Sequence, residues 1–157
     1  MTYFKHHLRV QKALLDALGK KQRVEAVSLD ENRMYVNYNN CAVFCFPKVQ
    51  YVLNLPEMFR GNVQKVQQIL KEAPNDGKQL AYKYDRRFQK VDVAVFEDME
   101  GNEYYLAKAL LQMFGRDVFK LSVYATNPLS PIVIHCLEFS DGLDGIIMPL
   151  RVPSSVK

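Results

Sequence analysis

The spacing of apolar and polar positions divides the chain into helix-like and strand-like stretches. Over residues 4–19, Leu8, Leu14, Leu15 and Leu18 recur at helical spacing and Gly19 follows as a stop. That pattern predicts an amphipathic helix with a leucine face turned to a core. Another face of the same helix carries Lys5, Arg9, Lys12 and Asp16. Val24–Ser28 and Met34–Asn37 then read as short strands around the turn Asp30-Glu31-Asn32, and a third strand, Ala42–Phe46, ends before Pro47. Residues 48–80 are less regular. Tyr51-Val52-Leu53 is strand-like, and Asn62 is placed to cap a helix over 63–73 with Val63, Val66, Ile69 and Leu70 as its stripe. Ala73-Pro74-Asn75-Asp76-Gly77 ends that helix, because Pro and Gly continue one only at a cost.

The second half repeats the alternation. Residues 79–83 and 91–97 are strand-like, joined by the charged stretch Lys83-Tyr84-Asp85-Arg86-Arg87, which reads as a loop. Asp98-Met99-Glu100-Gly101-Asn102 reads as a turn. A second helix is predicted over Tyr105–Phe114, with Leu106, Leu110, Met113 and Phe114 inward, Lys108 and Gln112 on the other side, Arg116 one turn on, and Gly115 as its end. Three strands follow, Val118–Tyr124, Ile132–Phe139 and Gly145–Val152, the last two linked by the turn-forming residues 140–145. Nothing divides the chain, so residues 1–157 are expected to form a single α+β domain with two helices packed on an antiparallel sheet.

With 157 residues, 48% of them hydrophobic and 24% charged, the chain can bury one sizeable core. No apolar run approaches the length of a membrane span. The first residues carry charge rather than a signal-like apolar block, which points to a cytoplasmic protein. Cys41, Cys45 and Cys136 are odd in number and lack metal-ligand spacing, so free thiols in a reducing compartment are expected. Charge is uneven: residues 1–24 hold Lys5, Arg9, Lys12, Lys20, Lys21 and Arg23 against Asp16, a net of +5 in a chain whose total is +4. A basic end on a near-neutral body suggests an anionic partner, nucleic acid first.

Catalytic patterns are missing from the sequence. His6 and His7 are adjacent on a helix and point in different directions, while His135 sits in an apolar strand. There is no Gly-rich phosphate loop, Cys-x-x-Cys pair or Gly-x-Ser-x-Gly elbow. Glu97, Asp98 and Glu100 cluster where a turn favours acidic residues anyway. A non-enzymatic protein without metal or cofactor is the expectation.

Two runs carry a family resemblance. Asn127-Pro128-Leu129-Ser130-Pro131-Ile132-Val133-Ile134 is followed by Gly145-Ile146-Ile147-Met148-Pro149-Leu150-Arg151-Val152. In this order and separation they resemble the closing hairpin of the bacterial DNA polymerase sliding clamp, the β subunit. There a segment like Pro-Leu-Ser-Pro-x-x-Ile precedes a strand like Ile-Met-Pro-Leu-Arg-Val. The resemblance is strongest from about Glu103 to Val152 and implies a DNA-clamp-like domain with an inserted segment near 48–80. It further implies that Leu129, Pro131, Ile146, Ile147, Met148, Pro149, Leu150 and Arg151 form one wall of an apolar groove for short peptides of replication or repair proteins. The other wall would come from a neighbouring subunit of a homo-oligomeric ring, a DNA-associated processivity or scaffold factor, or be absent. It also implies that Lys5, Arg9, Lys12, Lys20, Lys108 and Arg116 face the phosphates of double-stranded DNA, contacts that are independent of sequence and sensitive to salt. The chain departs from the family in having Leu106 and Ala109 where an Asn and a Tyr are common, and in continuing through Pro153–Lys157. An alternative is an interaction module of phage or mobile-element type that keeps the fold and binds peptides or replication proteins without encircling DNA. A small enzyme on an unrelated α+β fold is the third reading.

Overall fold

The computed structural model describes residues 2–28, 31–48, 51, 67–69, 71, 77–115, 121–136 and 144–151. Its first element, α1, spans Thr2–Gly19. His6, His7, Val10, Gln11, Leu14 and Ala17 form its buried side, recurring every three to four residues as a helix face must. This corrects the leucine face expected from sequence. Leu8 is 37% and Leu15 55% exposed, and only Leu14, fully buried, and Leu18, partly buried, reach the core. Successive residues are about 100° apart around a helix, so centring Leu14 over the sheet swings Leu15, and Leu8 two turns before it, out to the side. The helix ends at Gly19 as its sequence suggests, while the left-handed cap lies two residues further on. The N–H of Gln22 bonds the carbonyl of Ala17 at 2.9 Å and that of Lys21 bonds Leu18 at 3.0 Å. Lys21 takes the left-handed position with φ 63°, a paired-bond C-terminal cap usually built on glycine.

Among the described residues nine strands follow: β1 Val24–Ser28, β2 Arg33–Tyr38, β3 Ala42–Pro47, β4 Lys78–Phe88, β5 Val91–Glu97, β6 Glu103–Ala107, β7 Leu121–Ala125, β8 Ile132–Cys136 and β9 Asp144–Ile147. A short helix, α2, Lys108–Phe114, lies between β6 and β7. The strands form one sheet in the order β1-β2-β3-β9-β8-β7-β4-β5-β6, and each neighbouring pair is antiparallel. The chain is thus an α+β fold with its helices on an antiparallel sheet.

Two helix–meander units meet in the middle of that sheet. One is α1 followed by β1, β2 and β3; the other is α2 followed by β7, β8 and β9. They join where β3 runs against β9, Ala42 opposite Ile147 and Cys45 opposite Asp144. Alternation along these strands sends Val36, Phe44, Ile132, Ile134 and Ile147 to the helix side, into one large cluster with Val10, Leu14, Leu111 and Phe114. Phe44 and Phe114 stack with ring centroids 4.6 Å apart, and burying a ring of this size stabilises the fold by about 1.5–3 kcal/mol. The opposite face gathers Val27, Val43 and Ile146, with Tyr35, Val133 and Ile69 packed on them. Gln67–Ile69 are helical, so the segment between β3 and β4 reaches the face away from α1 and α2. Lys71 is helical as well; the remainder of the helix expected over 63–73, its Asn62 cap, and Val52-Leu53 lie outside the described residues.

Three further boundaries differ from the sequence reading. The charged stretch Lys83–Arg87 is not a loop: β4 runs through it, bulging between Tyr82 and Tyr84, and pairs with β5 down to Phe88 opposite Val91. Tyr84, Arg86 and Phe88 keep the period of two that a strand needs. The second helix begins at Lys108 rather than Tyr105. Tyr104, Tyr105 and Leu106 are strand residues, Leu106 paired with Ala94 and Tyr105 with Val95, as their aromatic, β-favouring character allows. Leu111, not among the expected inward residues, is fully buried. Finally, the last strand ends at Ile147 instead of Val152.

Candidate nucleic-acid and peptide interfaces

α1 and α2 lie side by side on one face of the sheet. His6 on α1 donates from Nε2 to the backbone carbonyl of Met113 on α2 at 3.0 Å, and both helices feed the same core cluster. Lys12, Leu15, Asp16 and Lys20 of the α1 stretch are exposed, as are Ala109 and Gln112 of α2.

The six cations assigned to DNA are not equivalent. Lys12 and Lys20 are exposed and have no ion pair among the described residues. Arg9 is half-buried and turns inward, donating from Nη2 to Nδ1 of His6. Lys108 is bound to Asp85 of β4, whose other carboxylate oxygen accepts from the Tyr82 hydroxyl. The bond from Lys108, then that from Tyr82, hold the Asp85 carboxyl below its usual range. The same ion pair raises the Lys108 ammonium. Lys5 lies in α1 with its side chain outside the described residues, and Arg116 is outside them altogether.

The residues assigned to a peptide groove separate into three groups. Pro131, Ile146 and Ile147 are buried; Ile147 belongs to the main core and Ile146 to the cluster on the opposite face. Leu129 is 61% exposed on the turn before β8, where its N–H bonds the side chain of Asn127 at 2.9 Å. Met148, Pro149 and Leu150 are half-buried, and Arg151 is exposed. After β9 one more bond continues the β3–β9 register before the backbone crosses to β6. The N–H of Met148 bonds Cys41 at 2.9 Å, and that of Leu150 bonds Tyr105 on β6 at 2.8 Å. Pro149, which has no N–H to donate, sits between these two bonds. The tail therefore ties the last strand of the sheet order, β6, back to its centre, and Leu150 packs on Val93, Val95 and Tyr105. A partner peptide would meet Leu129, Met148 and Arg151 before the others.

Two sites escape the sequence reading. One is the β5–β6 loop, where Asp98, 5% exposed, accepts from the backbone of Glu100 and Asn102, the Asn102 amide and the Tyr104 hydroxyl. Burial alone would raise this carboxyl, but the four hydrogen bonds outweigh it and bring its pKa down to about 2. Gly101 closes the turn at φ 87°, a backbone geometry open to glycine. Beside the loop is a groove of about 510 Å³ with Leu80, Tyr82, Phe96 and Leu121 in its lining and Met99 at its rim. The other site is the β4–β5 hairpin, whose charged residues the sequence reading placed in a loop.

The buried His6 and His7 support the fold, His7 meeting Phe46 edge-on at 6.0 Å between centroids. Among the described residues no group of His, Cys, Asp and Glu is arranged to hold a metal ion, and no helix is long and apolar enough to cross a membrane. Cys41 and Cys45 are half-buried. Burial, partly offset by a backbone hydrogen bond, raises the Cys41 thiol. No family model, curated protein or solved structure matches this chain.

Proposed function

We propose that this chain is a non-enzymatic, DNA-associated scaffold with a DNA-clamp-like domain, acting as a homo-oligomer on double-stranded DNA without reading its sequence. One observation carries the reading: two helix–meander units join at β3–β9 with both helices on the same face of the sheet. A helical layer held rigid by a sheet can lie along a duplex, and long Lys side chains such as Lys12 and Lys20 can touch phosphates without contacting base edges. The sequence resemblance at 127–134 and 145–152 supports the same reading.

The test is binding to two labelled duplexes of unrelated sequence. Affinity should be equal for both and fall with salt, with a slope of about −0.9 per phosphate contact. Lys12→Glu with Lys20→Glu should weaken both alike, and sedimentation should show more than one copy per particle. Undetectable binding at low salt overturns the reading.

A second reading, a peptide-binding module that does not encircle DNA, is favoured by the inward commitments of Arg9 and Lys108, which leave fewer cations for phosphates. Leu129, Met148 and Arg151 would then supply the contact, with adaptable Met able to fit several apolar anchors. Saturable binding of clamp-type peptides, abolished by Met148→Glu with the fold intact, separates it from the first.

A further inference from the structure

The β4–β5 hairpin ends in a positive tip that the helical layer does not include. Beyond Leu80, β4 leaves β7 and pairs only with β5, and β6 pairs with β5 no further than Val93 opposite Ala107. Residues 87–92 therefore form a two-stranded tip free on both edges. Arg87 and Lys90 stand exposed on the tip with Asp92 opposite Arg87 in register, and half-buried Arg86, opposite Val93, stands at its base. None of the three cations has an ion-pair partner among the described residues. Their neighbours differ. Lys83 is neutralised by Glu97 at 3.1 Å and Glu103 at 3.3 Å, and Lys108 by Asp85. Within the hairpin, the cations without an ion pair among the described residues thus lie at the tip and its base.

The turn itself supplies a second, independent observation. Gln89 and Lys90 both have positive φ, 47° and 70°. A two-residue hairpin turn of this kind is ordinarily Asn-Gly or Gly-Gly, and a side chain in the left-handed region costs roughly 1–2 kcal/mol. Local stability is surrendered at both positions while long polar side chains are kept. Such an outlier is a reason to look for function at the strained residues.

We propose that this hairpin tip is a phosphate-contacting element for double-stranded DNA, with Arg86, Arg87 and Lys90 gripping the backbone. A two-stranded ribbon fits the major groove. Gln89 and Lys90 are polar, and the exposed apolar side chain beside them is Val91, a residue type under-represented at the hot spots of protein interfaces. The choice of duplex DNA rests on the function proposed above, but none of its helix residues takes part.

The experiment measures anisotropy of a labelled duplex against the full chain over a salt series, with polyglutamate as a competing anionic probe. Three proteins are compared with wild type: Arg86→Ala/Arg87→Ala/Lys90→Ala, Lys90→Gly alone, and Lys12→Glu/Lys20→Glu. Each lost phosphate contact should weaken binding about eightfold at about 0.1 M salt and make the salt slope shallower by about 0.9. Lys90→Gly relieves the strained turn, so weaker DNA binding together with a higher melting temperature shows that loss of fold is not the cause. If both hairpin variants bind as wild type does while the helix variant is impaired, the hairpin proposal is overturned and the helical reading stands. Wild-type protein that binds polyglutamate and no duplex overturns it in favour of an acidic protein partner, and binding of neither probe overturns both assignments.

Discussion

His6 caps the helix that Met113 belongs to. The carbonyl of Met113 is among the last four of α2, which have no partner within the helix, and the buried imidazole Nε2 of His6 meets it at 3.0 Å. A carbonyl can only accept and the Arg9 guanidinium can only donate. Both demands on His6, from Met113 at Nε2 and from Arg9 at Nδ1, are met by the tautomer protonated at Nε2.

That arrangement predicts a single tautomer, visible in long-range proton–nitrogen spectra as a protonated Nε2 and a bare Nδ1. His6→Phe should cost about 1–3 kcal/mol in urea denaturation, since it leaves a buried acceptor without its donor. A loss within the error of the measurement would mean that the two helices are not coupled through this bond.

The β5–β6 loop should make stability depend on acid. Asp98 titrates at about 2 in the folded chain, below the ordinary value of about 3.9. A lowered folded pKa gives a stabilisation that is complete above about pH 4 and is lost as pH falls through about 2. Asp98→Asn should remove this part of the slope between about pH 4 and 2. At the other extreme Tyr104, raised to about 12 by burial and then by its bond to Asp98, stabilises fully below about pH 10 and loses that contribution as pH rises through about 12. Ultraviolet titration of Tyr104→Phe should lack the latest-ionising tyrosinate.

At the end of α1, glycine and lysine occupy each other's preferred places. Gly19 is helical with nothing within 4 Å of where a Cβ would stand, whereas Lys21 carries the positive φ. Gly19→Ala and Lys21→Gly should therefore each stabilise, by about 0.5–1 kcal/mol. For a domain of this size that is a rise of roughly 2–4 °C in melting temperature per kcal/mol. If Lys21→Gly melts lower than wild type, the paired-bond cap is not formed.

Gly145 holds the two halves of the sheet together. A Cβ there would lie 2.2 Å from the carbonyl oxygen of Val43 and 2.6 Å from Cε1 of Phe114, so β3, β9 and α2 all crowd this point. Gly145→Ala should destabilise by about 1–3 kcal/mol, the usual range for overpacking, and should lower the melting temperature even though alanine is the smallest side chain that can be added.

Periodicity in the chain was enough to place α1, the β1–β3 meander and β5, because each of these signals is local and repeats over several residues. It also carried the α+β class and the helix–strand order among the described residues, except for β6, of which Tyr105–Ala107 read as part of the second helix. Tertiary contacts decided the rest. Leu8 and Leu15 have the same hydropathy as Leu14, and only the angle at which α1 meets the sheet determines which is buried. Tyr104–Leu106 suit a helix stripe or a strand equally well, and pairing with β5 selects the strand. Lys83–Arg87 look like a loop because charge is normally solvated, yet past Leu80 the outer edge of β4 is unpaired with β7, and an edge strand can solvate charge and remain a strand. Local pattern could nominate Arg9 and Lys108 as cations. Whether each faces solvent depended on His6 and on Asp85, the latter 23 residues away from Lys108, and no single-strand or single-helix period records such a meeting.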